Sequence, residues 1–147
     1  MTNSEQFQRT VSNRLLLWSI LSIAGGALLQ AARAPFWRAF GQQAIGWGAI
    51  DAALAIFGRR GLEKKVQRGY PPTEAANDLR NLRRILWVNT GLDVLYMLGG
   101  LALLRRDDET QRGHGAGILV QGLFLFKFDL IHALLAKPGK VTKDTDA

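Results

Sequence analysis

The chain contains no cysteine, which excludes a disulfide framework, thiol catalysis and a thiolate metal site and leaves the redox compartment open. It also lacks the combinations on which many soluble enzymes rest. No glycine-rich phosphate loop follows a strand, and no Ser, His and Asp arrangement builds a hydrolase. With 147 residues there is no room for a second domain of ordinary size. Charge is missing over long distances: 15–32 carries none, and 85–104 carries one. Amphipathic helices of a water-soluble bundle show a charged face at every turn, and these stretches do not.

What is present is four apolar stretches, at 15–32, 39–58, 85–104 and 115–136. Each approaches the ~20 residues that carry a helix across a hydrocarbon core of about 30 Å. The mean hydropathy of the whole chain, +0.01, conceals them, because it averages in a polar connection at 59–84 and polar ends at 1–13 and 137–147. The first stretch follows Arg14 and has the outline of a secretory signal peptide. Its best small-x-small site, Ala32-Arg33-Ala34, is followed by Pro35, and its polar leader is long, so a retained helix is expected.

Basic residues set the expected orientation. Four spans place both termini and the central connection on one side. That side carries thirteen Lys and Arg: Arg9 and Arg14, eight between Arg59 and Arg84, then Lys137, Lys140 and Lys143. The opposite side carries five, namely Arg33, Arg38, Arg105, Arg106 and Arg112. The positive-inside rule then puts both termini in the cytoplasm of an inner-membrane protein. The net charge of +7 is accordingly read as a topology signal, and nucleic acid is not an expected partner.

Three of the stretches carry an aspartate, and a carboxylate within a membrane is costly enough to need a reason. Asp51 and Asp129 each lie seven residues before the end of their stretch, about 10 Å from the cytoplasmic boundary. Asp93 and Ser22 fall roughly 12–13 Å from the same boundary, and Lys127 is slightly deeper than Asp129. On helical faces, Gln43, Trp47, Asp51 and Ala55 align, as do Gln121, Leu125, Asp129 and His132, and Asn89, Asp93, Met97 and Gly100. The candidate intramembrane polar cluster is therefore Asp51, Asp93, Asp129, Lys127, His132, Asn89, Gln43, Gln121 and Ser22. Ser22 and Gly26, and Ala44, Gly48 and Ala52, have the small-residue spacing that lets helix backbones approach, and an intramolecular bundle is the favoured use of those faces.

Two patterns point to internal similarity. Arg14-Leu15-Leu16-Leu17-Trp18 resembles Arg83-Arg84-Ile85-Leu86-Trp87, and Gln43 precedes Asp51 as Gln121 precedes Asp129. The chain reads as two helical hairpins of the same orientation. In the connection, Pro71-Pro72 break the chain and Thr73 is placed to cap the next helix. Leu79, Leu82 and Leu86 form a stripe beside Arg80, Arg83 and Arg84, suited to contact with anionic lipid.

Several segments carry a resemblance: Phe36-Trp37-Arg38-Ala39-Phe40-Gly41, Ile45-Gly46-Trp47-Gly48-Ala49-Ile50-Asp51, Val88-Asn89-Thr90-Gly91-Leu92-Asp93-Val94-Leu95 and Arg112-Gly113-His114-Gly115. They resemble an uncharacterised family of small bacterial four-helix integral membrane proteins over most of the chain from Arg14 to Ala136. The resemblance implies the architecture and supplies no catalytic residues.

The expectation is an all-α, four-transmembrane-helix bundle built from two similar hairpins, forming a single integral membrane domain. The bland function is non-enzymatic: a structural, lipid-interacting or partner-binding role, with the Asp layer hydrogen-bonded to Trp, Asn, Gln and Ser or paired with Lys127. The rival is a small proton or cation transporter or channel subunit using Asp51, Asp93 and Asp129, assembled as a homo-oligomer because four helices enclose little space. An enzyme acting on a lipid or quinone comes third. Asp129 and His132 form one carboxylate-x-x-His pair where bundle metal sites use two, so no metal and no cofactor is expected. His114 is expected to be solvated in a glycine-flanked outer loop.

Overall fold

The computed structural model describes residues 3–137. It holds four α-helices: α1 (Asn3–Leu29), α2 (Pro35–Gln67), α3 (Pro72–Leu104) and α4 (Glu109–Leu135). Among the described residues there is no strand. Alternating direction puts the start of α1, the α2–α3 turn and the end of α4 at one end of the bundle, hereafter the base. The α1–α2 and α3–α4 turns lie at the other end, the tip. Three helices, α1, α3 and α4, are long and apolar enough to cross a membrane. Gln42, Gln43 and Asp51 dilute the apolar stretch of α2.

The apolar stretches are sections of longer helices. Residues 59–84 are two helical extensions joined by a short turn rather than a loose polar connection. Arg68 ends α2, and Gly69 then turns the chain at φ 83°, where a side chain would be strained. Pro71 precedes the first residue of α3, Pro72, whose missing N–H costs nothing at that position. Thr73 is therefore inside the helix and does not cap it. Asp108 caps α4 by accepting from the Gln111 amide at 2.8 Å. That start places His114 within α4 and not in a loop.

Small residues set the helix spacing. In the first hairpin Gly26 and Gly41 face each other, and a methyl group on either would stand 2.5–2.6 Å from the other's carbonyl oxygen. In the second, Gly100 and Gly115 do the same, at 2.9 and 2.5 Å. Gly48 meets the Ser19 carbonyl and Ser22, so the small-residue faces of α1 and α2 are used within the hairpin. Gly113 and Gly117 bring α4 against Phe36, Phe40 and Gln43 of α2 and join the hairpins. The two hairpins are thus similar, and each crossing glycine recurs 74 positions later. The tryptophan and Gln/Asp matches in the sequence imply 69 and 78, about one helical turn to either side. In the register the glycines define, Asp51, Asp93 and Asp129 correspond to Leu125, Ser19 and Ala55. The acidic layer is not a repeated feature.

Burial is inverted relative to a water-soluble bundle. The largest fully buried side chain is Ser19, whereas Leu17, Leu21, Leu28, Phe57, Val88 and Leu95 are all more than half exposed. Exposed apolar surface on this scale suits contact with a membrane or with another protein surface.

At the base the helices carry a polar network. Ser4 Oγ donates to the Ala75 carbonyl at 3.0 Å, and Gln8 Nε2 donates to Tyr70 Oη at 3.2 Å. Arg9 pairs with Glu5 at 3.2 Å and Glu63 at 3.9 Å. Lys65 and the Tyr70 hydroxyl both donate to Asp78, at 2.5 and 2.7 Å, and Arg68 pairs with Glu74. Burial, aided by the bond to Asp78, pushes the Tyr70 phenol up to about 12. Burial also pushes Asp78 upward, but the bonds from Lys65 and Tyr70 outweigh it and hold the carboxyl below its ordinary range.

Candidate functional site

The three aspartates meet. Asp51 of α2, Asp93 of α3 and Asp129 of α4 are 3%, 3% and 6% exposed and line one cavity of about 180 Å³. Each reaches it because its helix turns a polar position inward among small or apolar neighbours. Asn89, one turn before Asp93, lines the same cavity. Asp93 and Asn89 both lie within hydrogen-bonding reach of Asp129. Trp47 and Tyr96, edge-to-face with centroids 5.0 Å apart, complete the wall toward the tip.

Of the partners expected for this layer, Asn89 is present beside Asp129, whereas Trp18, Gln121, Ser22 and Gln43 are engaged elsewhere. Trp18 Nε1 donates to Gln121 Oε1 at 2.9 Å, and Gln121 Nε2 donates to Ser22 Oγ at 3.2 Å. That node ties α1 to α4 nearer the tip. Gln43 Nε2 donates to His114 Nδ1 at 3.0 Å, joining α2 to α4 close to the tip itself. Lys127 is exposed on the outside of α4 and forms no ion pair with the layer. His132 Nδ1 donates to the Phe128 carbonyl at 2.6 Å, while its Nε2 accepts from Arg14 at 3.3 Å. Of the nine residues singled out in the sequence, four share the cavity and five do not.

The layer is short of partners. Asp51 Oδ2 and Asp93 Oδ2 are buried without a hydrogen bond, the two such side-chain atoms among the described residues. An unpaired polar oxygen in an apolar interior costs about 1–3 kcal/mol, and more if it is charged. No ion pair among the described residues involves these carboxylates; all lie at the base. Nor do the described residues include a group of three or more acidic, His or Cys side chains arranged to hold a metal ion. Chemically the cavity gathers three carboxylates with Asn89 as a donor to one of them and no cationic side chain in its lining, a surplus of acceptors that suits a proton or a small monovalent cation.

Sequence reasoning missed Trp47 and Tyr96 as walls of one cavity, because they come from different hairpins, and which residues of two hairpins meet is not written in either one. It also missed Arg14 as the partner of His132, a contact between the two ends of the described chain.

A model for a family of unknown function, DUF6992, matches residues 14–130. The chain belongs to that family. No curated protein and no solved structure matches it. The matched region takes in the Asp layer, the Trp18–Gln121–Ser22 node and every glycine crossing. It excludes the outer turns of the base that α1 and α4 contribute, Glu5, Arg9 and His132 among them.

Proposed function

We propose that this member of the DUF6992 family is a non-enzymatic, multi-pass membrane protein that handles protons or a small cation at its Asp51–Asp93–Asp129 layer. All four helices cross the inner membrane as a single domain, with the base and both termini in the cytoplasm. Three apolar helices and the exposed leucine-rich exterior support the embedding. The excess of Lys and Arg on the base segments supports the orientation. The α2 helix crosses with the others because its glycines lock it to α1 and α4.

One observation carries the proton reading: two buried carboxylate oxygens with no partner, beside a third carboxylate, on a cavity with no cation in reach. Intramembrane carboxylates in such settings mark ion pathways by default. The cavity is small, so passage across the membrane would use a second copy or a motion of the hairpins. A purely architectural role draws its support from the close glycine contacts within and between the hairpins.

Flux through proteoliposomes separates the two. The wild type should dissipate an imposed pH gradient, and Asp93→Asn and Asp129→Asn should not. Wild-type flux at the level of empty liposomes, with the Asn variants changing only melting temperature, would overturn the proposal in favour of the architectural role.

A further inference from the structure

Lys127 stands out as a cation with no acid beside it. It lies nine residues before Ala136, about 13 Å up α4 from the base at 1.5 Å per residue. Its side chain is on the lipid-facing side, so it must reach a boundary or find an anion. It opens onto a groove of about 480 Å³ between α1 and α4, whose other polar lining is Arg14 and His132. No carboxylate lines that groove. Arg14 spends one guanidinium nitrogen on His132 and is otherwise exposed, which leaves its remaining donors for an anion.

The groove continues. Trp18, stacked on Phe124 at 3.7 Å and 8°, forms the floor where α1 and α4 meet through side chains. Past Trp18 and Leu21 a second groove of about 420 Å³ runs toward the tip along Gly25 and Leu28, and its lining is almost wholly apolar. Gly25 faces open space, where a side chain would meet nothing within 4 Å. From Leu17 to Leu28 the helix rises about 16 Å, close to the ~15 Å hydrocarbon depth of one leaflet.

We infer that the α1–α4 face holds one anionic phospholipid, its phosphodiester between Arg14 and Lys127 and an acyl chain in the trench over Trp18 and past Gly25. Arg14 marks the headgroup end of the apolar trench and Lys127, higher on α4, opens into the same groove, so charge and length together match an anionic amphiphile whose phosphodiester the lysine stem reaches toward. The inference rests on the membrane embedding proposed above and is independent of proton handling. The α3 face shows the contrast. There Arg80, Arg83, Arg84 and Trp87 line a basic hollow of about 300 Å³ that reaches no further into the apolar stretch than Trp87.

The test is native mass spectrometry of the detergent-purified full chain with added phosphatidylglycerol or phosphatidylcholine. Wild type should retain one phosphatidylglycerol in preference to phosphatidylcholine. Arg14→Gln and Lys127→Gln should each lower that retention about fivefold, the weight of roughly 1 kcal/mol per basic group. Arg106→Gln, which removes a charge at the tip, should not change it. Gly25→Leu should lower retention of both lipids without lowering the melting temperature, because it fills the trench without touching the fold. Equal retention of the two lipids by wild type would overturn the inference, as would equal losses from Lys127→Gln and Arg106→Gln or no loss from Gly25→Leu. A chain that washes out of membranes with carbonate would instead sink the embedding itself.

Discussion

Replacing Gly115 by alanine inserts one methyl group where the second hairpin has no room for it. The new carbon would stand 2.5 Å from the Gly100 carbonyl oxygen, 2.6 Å from the Leu104 amide nitrogen and 2.9 Å from Leu103 Cβ. Ordinary contact is about 3.5 Å, so α3 and α4 would have to separate by ~1 Å. The two nearest atoms are backbone and cannot rotate aside. Overpacking of this kind costs about 1–3 kcal/mol. Gly99→Ala is the internal control: it lies on α3, one residue from the crossing, and its methyl would meet nothing within 4 Å. Alanine favours a helix over glycine by up to ~1 kcal/mol, so that variant should be neutral or slightly more stable. The measurement is the unfolding midpoint in detergent, followed by circular dichroism, for wild type and both variants. Gly115→Ala should unfold before Gly99→Ala by a gap equivalent to about 1–3 kcal/mol, since the helix-propensity gain is common to both variants. Coincident midpoints would refute the claim that the Gly100–Gly115 contact sets the distance between α3 and α4. The same reasoning makes Gly41→Ala costly in the first hairpin, where the methyl would stand 2.6 Å from the Gly26 carbonyl.

Three further outcomes are expected. Single cysteines at Gln67 and Thr110 should react with an impermeant thiol reagent from opposite faces of the membrane, Gln67 from the cytoplasm; labelling of both from one face would remove the four-span topology. At the base, Asp78 is held below its ordinary value, so its contribution to stability is present above that value (about 4) and disappears as pH falls through the folded one. Wild type should therefore be more stable than Asp78→Asn at neutral pH, and the difference should close in acid. Tyr70 has the opposite sign: its phenol is raised to about 12, so its contribution is complete below about 10 and lost between there and 12. Tyr70→Phe should flatten that alkaline step, and an unchanged profile would count against the Tyr70–Asp78 bond.

Composition and run length were enough to determine that this chain is all helix, that it forms two hairpins, and that Asp51, Asp93 and Asp129 lie at a similar level along the bundle, where they line one cavity. Those properties follow from rise per residue and from the cost of placing charge in an apolar phase, and both can be read along one dimension. The ends of the helices were less legible. Residues 59–67 and 72–84 look like a polar linker, yet they are helical because Leu62, Ala75 and Leu79 are buried within the base. Which polar residues meet was decided only by tertiary structure. Gln121 and Asp129 align on one face of α4, but the first answers Trp18 and Ser22 and the second answers Asp93 and Asn89. Lys127, two residues from Asp129, faces outward, since two residues turn a helix by more than half a circle. The repeat register was likewise fixed by contact: a one-turn shift preserves the apolar pattern of a membrane helix, and only the meeting of Gly26 with Gly41 and Gly100 with Gly115 selects among the alternatives. Depth is a property of one helix, whereas partnership depends on the rotation and spacing of two, and in this bundle glycine contacts set both.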